Sequence, residues 1–301
     1  MASKSGGTGC LLVVLVLGVL GFAYYKSLDG SSQTPPAPPG SQIGGGTGRY
    51  VALGDSYTSA PKTGAQAGEP AGCARSAVNY PHLVAAELRP KEFVDVSCGG
   101  ATTASLTGEQ RTRDGVNPPQ LNAVNAETTL VTVGIGGNDV GFVGLAGQCL
   151  ADSAQASPCK QRLTAGGKDQ LAAKIDTAAK RVGESLRKIR AKAPKARVVL
   201  VGYPTILPDG DGCWPSLPVG APDVAYLREG LAKFNTALSE QAKANQAGFV
   251  DTARPSKGHD LCAPTNERWV EGLVPASPAT ALHPNAKGQK ATADAVLRVV
   301  R

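Results

Sequence analysis

The chain has 301 residues, 42% of them hydrophobic and 18% charged, a balance that excludes an intrinsically disordered chain and allows one sizeable core but not two large ones. Its formal net charge of +7 is modest, and many of the basic residues fall between Lys168 and Lys195 among alanines and leucines, as on the solvated face of an amphipathic helix. No basic-aromatic interleaving or nucleic-acid motif accompanies them, so no nucleic-acid partner is expected, and with 37 glycines and 22 prolines much of the chain is loop, where functional residues concentrate.

The first element is apolar. No charged residue lies between Lys4 and Lys26, and Cys10 to Tyr25 is almost wholly hydrophobic. As a helix that run spans roughly 24 Å, a little short of a ~30 Å hydrocarbon core, so length alone does not separate a signal peptide from an anchor. With no A-x-A-like cleavage site after it, and Tyr24 and Tyr25 placed like an interfacial aromatic pair, residues 1–26 read as an uncleaved signal anchor in preference to a cleaved signal peptide. Residues 27–48, rich in Pro, Gly and Ser, read as an extended tether, and residues 49–301 as the folded domain. The domain is therefore expected outside the cytoplasm, touching the membrane through the N-terminal segment, and acting as a monomer.

Within the domain, RYVALG (49–54) reads as a buried strand ending at Gly-Asp-Ser, YPHLVAAEL (80–88) as a helix, EFVDVS (92–97) as a second strand, and TLVTVGI (129–135) as a third. A long helix is expected from about 166 to 193, a fourth strand at 197–202, a helix from about 223 to 245, a fifth strand at 248–251, and a last helix after Pro284. Strands alternating with helices imply an α/β fold, a three-layer helix-sheet-helix sandwich around a mostly parallel five-stranded sheet. Ligands bind such sheets at the carboxyl ends of the strands. Ser56, Gly100 and Asn138 each follow a strand end, so three turns should converge on one rim.

Six cysteines lie beyond the tether and Cys10 opens the apolar run. An even number in an exported domain suggests three disulfides, although many pairings are possible. Pairing neighbours in sequence gives Cys73–Cys98, Cys149–Cys159 and Cys213–Cys262. No metal-ligand spacing is present and no cofactor is expected.

Gly54-Asp55-Ser56 alone is a common turn. Together with Gly100 in CGGATT, Gly136-Gly137-Asn138-Asp139, and His283 in LHPNAKG, in that order, it resembles the GDSL/SGNH hydrolase family. With VGYP (201–204), GHDLC (258–262) and six cysteines, the resemblance is to its secreted actinobacterial esterases and lipases with three disulfides, and it runs from about Arg49 to the C-terminus. It implies a flavodoxin-like fold and hydrolysis of acyl esters, lipid esters among them, through an acyl-Ser56 intermediate. His283 would be the base, and the backbone N–H groups of Ser56 and Gly100 with the Asn138 amide would form the oxyanion hole. The chemistry agrees: a serine hydroxyl needs a base within hydrogen-bond reach, and the other two histidines, His82 and His259, sit in a helical pattern and a turn.

Most of the family carries an Asp three residues before the histidine; here that position is Thr280. The secreted branch orients the imidazole by a main-chain carbonyl near this point, and the carbonyl of Thr280 is expected to do so here, with Asp209, Asp211, Asp260 and Glu271 as alternative partners. Lipase, phospholipase A, carbohydrate deacetylase and acyltransferase activities all remain open. The absent acid also leaves a second reading, a non-catalytic surface binding protein that keeps the fold.

Overall fold

The computed structural model describes residues 48–301. The proposed anchor at 1–26, and the tether up to residue 47, lie outside the described residues. Among the described residues no helix is long and apolar enough to cross a membrane.

Strand β1 (Arg49–Gly54) leads into the four-residue helix α1 (Ser56–Ser59), followed by α2 (Tyr80–Leu88) and β2 (Glu92–Asp95). A small hairpin, β3 (Gln110–Thr112) and β4 (Gly115–Asn117), precedes β5 (Thr128–Gly134). The short helices α3 (Gly137–Val140), α4 (Phe142–Gln148) and α5 (Pro158–Thr164) come next. The chain then continues through α6 (Gln170–Lys192), β6 (Arg197–Val201), α7 (Ala221–Ala244), β7 (Gly248–Val250) and α8 (Ala286–Val300).

The five strands expected from the sequence form one sheet in the order β2-β1-β5-β6-β7, with every pairing parallel. Side chains alternate across each strand, so Val51 and Leu53 face one way with Val131, Val133 and Leu200, and Tyr50 and Ala52 face the other with Leu130, Val199 and Val201. The first face is covered by α6 and α7 through Ile175, Val182, Leu186, Phe234 and Leu238, and the second by α2 and α8 through Tyr80, Val84, Val296 and Val300. This is the three-layer sandwich. The chain leaves β1 toward β2 and returns on its other side with β5, so connections diverge at the carboxyl ends of β1 and β5, where such folds open a crevice.

Several boundaries move for local reasons. The long helix starts at Gln170 rather than near 166, because Gly166 and Gly167 take φ of +78° and +76° and Asp169 caps the new start by accepting from the Ala172 N–H at 3.0 Å. Its basic residues Lys174, Lys180, Arg181, Arg187 and Lys188 are exposed, as a solvated face requires. β2 ends at Asp95, whose carboxylate turns back to accept from the Ser97 N–H and hydroxyl at 2.9 and 2.7 Å.

Disulfides join Cys73 to Cys98, Cys149 to Cys159 and Cys213 to Cys262. The buried Asp223 of α7 accepts from the N–H groups of Cys159 and Lys160 at 2.9 and 2.8 Å, which pins the second crosslink to the core. Closing loops of this size is worth about 3 to 4 kcal/mol each in the chain-entropy model. A thiol titration of denatured, unreduced protein is therefore expected to find Cys10 alone, and reduction is expected to lower the melting temperature. Three or more free thiols contradict the presence of three disulfides.

Candidate active site

β1 carries the chain to Gly54, a position that no other residue fills easily: its φ is +156°, and an added Cβ would lie 2.7 Å from the Gly134 carbonyl oxygen. Asp55 caps α1 by accepting from the Tyr57 N–H at 2.9 Å, which fixes Ser56 at the first helical position, 8% exposed. β5 delivers the second turn, in which Gly136 at φ +110° starts α3 and places Asn138 beside Ser56 in one small pocket.

The third turn is held between these two. Cys98 donates its N–H to the Gly54 carbonyl at 3.0 Å, and the carbonyl of Ala101 accepts from the Asn138 side-chain amide at 2.9 Å. Gly100 lies between them at φ +76°, and a Cβ there would meet only the Gln110 side-chain amide, at an ordinary contact distance of 3.8 Å. Among the described residues none accepts a hydrogen bond from the N–H of Ser56 or of Gly100. Asn138 has one amide hydrogen engaged with Ala101 and one in reserve. Its neighbour Asp139 accepts from the N–H and hydroxyl of Thr103 at 2.9 and 2.5 Å and lies 3.7 Å from Arg181, which locks this turn to the one after β2.

His283 arrives on the loop before α8, and its Nε2 lies 2.8 Å from Ser56 Oγ. The loop is tied by an exchange of backbone bonds, Glu271 N–H to the His283 carbonyl at 3.0 Å and Leu282 N–H to the Glu271 carbonyl at 3.1 Å. Asn285 caps α8 while donating to the Glu271 carboxylate at 2.8 Å. Against the upward push of burial, bonds from Asn285, Ala276 and Ser277 hold the Glu271 carboxyl below its ordinary value. Its side chain is thus spent on the loop.

The carbonyl expected to meet the imidazole is corrected by one residue. Nδ1 lies 2.7 Å from the carbonyl oxygen of Ala281, whereas that of Thr280 accepts from the His283 main-chain N–H at 3.1 Å. Leu282 at φ +63° folds the chain so that the second residue back, not the third, faces the ring. The Thr280 N–H and hydroxyl both point to the Pro61 carbonyl, at 3.1 and 3.4 Å. A carbonyl only accepts, so Nδ1 carries the proton and Nε2 is left to accept from the serine hydroxyl. Burial lowers the His283 pKa from 6.5, partly opposed by the Ala281 bond.

None of the four acids considered as a third member hydrogen-bonds this ring. Asp209 pairs with Lys257 at 3.7 Å, Asp211 is exposed, and Asp260 accepts from the Cys262 N–H at 2.9 Å. The other histidines are also engaged elsewhere. His82 donates from Nδ1 to Asn79 at 2.7 Å, and His259 stacks on Trp269 with centroids 4.2 Å apart.

Two residues escaped the reading of the sequence. Tyr203, of the VGYP segment, donates its hydroxyl proton to Asp55 at 2.5 Å and accepts from the Gly137 N–H at 2.8 Å. Burial pushes the Asp55 carboxyl up to about 7, against the bonds it accepts from Tyr203 and Tyr57. Tyr57 places its ring 4.9 Å from that of His283. Beside them opens a cleft whose walls are Phe142, Val143, Ile206, Leu217, Leu231 and Leu282 with their apolar neighbours. The crosslinks Cys149–Cys159 and Cys213–Cys262 fasten the loops that supply much of this wall.

Comparison with known proteins gives a consistent set of relatives. Residues 52–291 match the model of the GDSL-like lipase/acylhydrolase family. Over 260 residues the chain is 38% identical to Lipase 2 of Streptomyces coelicolor, covering 83% of this chain and 85% of that protein. Among solved structures it is similar to phospholipase A1 from Streptomyces albidoflavus, with a TM-score of 0.67, 26% identity, and coverage of 84% of this chain and 99% of that one. It is also similar to the extracellular lipase from Streptomyces rimosus, with a TM-score of 0.64, 27% identity and the same coverages of 84% and 99%.

Proposed function

Because the chain belongs to the GDSL-like lipase/acylhydrolase family and is a carboxylic ester hydrolase, we propose that it cleaves esters of apolar acyl chains through an acyl-Ser56 intermediate, with a Ser56–His283 dyad. The observation that carries this reading is the 2.8 Å bond from Ser56 Oγ to His283 Nε2, beside a cleft of apolar side chains.

In this mechanism His283 Nε2 takes the serine proton as Oγ attacks the ester carbonyl carbon. The charge that develops on the carbonyl oxygen meets the free N–H groups of Ser56 and Gly100 and the spare amide hydrogen of Asn138, donors typically worth about 100-fold or more each. Collapse of the tetrahedral intermediate expels the alcohol, protonated by His283. Water, deprotonated by the same imidazole, then releases the acid and restores the serine. The Ala281 carbonyl holds the tautomer throughout and supplies no full charge.

The three disulfides support an oxidising, extracytoplasmic location. In this reading the apolar run within residues 1–26 would hold the enzyme at the membrane, with 27–48 as its tether. The names lipase and phospholipase A1 among the relatives agree with a lipid ester as substrate.

A series of p-nitrophenyl esters tests the proposal. Each buried methylene is worth about 0.8 kcal/mol, roughly fourfold, so kcat/KM is expected to climb from acetyl toward medium chains until the cleft is filled. A flat or falling series contradicts an acyl-binding role for the cleft.

The pH profile gives an independent check. The base works as neutral imidazole, and its pKa is lowered, so activity is lost only as pH falls through that lowered value. The acidic midpoint of kcat/KM is expected below 6.5. A midpoint above 6.5 would indicate an anionic partner raising the imidazole pKa.

A further inference from the structure

The three turns that meet at the site leave the adjacent strands β2, β1 and β5, and His283 comes to them on a separate C-terminal loop. Two tyrosines cross the gaps. Tyr57, next to Ser56, donates its hydroxyl proton to the carbonyl oxygen of Leu282 at 2.7 Å, in the peptide group that joins Leu282 to His283. Leu282 holds a left-handed φ of +63°, a conformation that a leucine keeps only when its surroundings enforce it. The same tyrosine lays its ring against the imidazole, 4.9 Å between centroids at 36°.

Tyr203 spans the opposite gap. Its hydroxyl donates to Asp55 on the nucleophile side at 2.5 Å and accepts from Gly137 on the Asn138 side at 2.8 Å. An added Cβ at Gly137 would lie 2.9 Å from the Tyr203 ring, so the fit leaves little play. The two rings meet edge to face, 5.2 Å apart at 70°, and Tyr203 packs against Phe234 of the core at 5.7 Å.

We infer that Tyr57 and Tyr203 are positioning residues for ester hydrolysis, Tyr57 fixing the base loop and Tyr203 fixing the Asn138 turn relative to the Ser56 turn. Neither hydroxyl needs to touch substrate. Each holds one pair of reacting groups at its working distance, and a displacement of about 1 Å in such groups can cost about 100-fold in rate. The inference rests on the Ser56–His283 reading above.

The test compares Tyr57→Phe and Tyr203→Phe with the parent and with Ser56→Ala, using one p-nitrophenyl ester and a fluorophosphonate to count active sites. Each phenylalanine keeps the ring and removes one oxygen. The expected result is a kcat per titrated site roughly 10- to 100-fold lower in each variant, with KM within about threefold of the parent. A merely structural role lowers the melting temperature and the number of titratable sites but leaves kcat per site unchanged. That result, or a raised KM at parental kcat, overturns the inference. If Tyr203→Phe does not fold, Tyr57→Phe decides alone, because its hydroxyl makes a single bond at the edge of the cleft. Retained turnover in Ser56→Ala removes the nucleophile reading itself and the inference with it, a failure distinct from parental rates in the tyrosine variants.

Discussion

Ser56→Ala is expected to lower kcat/KM for ester hydrolysis by at least about 10⁴-fold while leaving the fold intact. The Oγ atom makes one protein hydrogen bond, to His283, and belongs to a side chain at the rim of the sheet rather than within either apolar layer. Asp55 continues to cap α1 through the Tyr57 N–H, so the turn keeps its shape. The backbone N–H of residue 56 and the other donors remain, and the activity left over should be the small residue that binding and an oxyanion hole supply without a nucleophile. Steady-state kinetics on purified variant, with the melting temperature within a few degrees of the parent, checks this. Turnover within about tenfold of the parent contradicts it.

His283→Ala is expected to come next in size, with a loss of about 10³-fold or more, because among the described residues no other base hydrogen-bonds Ser56 Oγ. The expected signature is non-additivity. Groups that act as a unit lose nearly everything at the first deletion, so the double variant Ser56→Ala/His283→Ala should be no slower than Ser56→Ala alone. A double variant markedly slower than either single would mean that the two residues contribute separately. The imidazole is buried at 5% exposure, so its removal leaves a space, but the Glu271–Asn285 bond and the backbone exchange across the loop persist without it.

The centre of the sheet was legible because β1, β5 and β6 are short, largely apolar and buried runs, the pattern that parallel strands covered on both faces produce. The pairing of Ser56 with His283 was expected for a chemical reason: few residue types can act as nucleophile and base, the domain offers three histidines, and it is His283 whose Nε2 lies 2.8 Å from Ser56 Oγ. The hairpin at 110–117 was missed because QRT and GVN have neither an apolar run nor a regular alternation. The choice between the carbonyls of Thr280 and Ala281 turned on one left-handed residue, Leu282, and nothing in a leucine's identity announces a positive φ. Tyr57 and Tyr203 were invisible for another reason. Their roles are contacts across 225 and 148 residues of sequence, and only the folded turns bring those partners together.

Among the described residues no carboxylate hydrogen-bonds Nδ1 of His283; the Ala281 carbonyl takes that place. In the proposed mechanism the serine is activated by a neutral, buried imidazole whose tautomer is held by one main-chain oxygen, so its reactivity would depend on geometry more than on a charged third member. The measurement that reaches this claim most directly is covalent labelling of the folded protein with a fluorophosphonate, followed by mass mapping of the modified peptide. A single adduct is expected, on Ser56, absent from Ser56→Ala and formed far more slowly in His283→Ala. An adduct on any other residue, or a protein that hydrolyses esters without being labelled at Ser56, would contradict it.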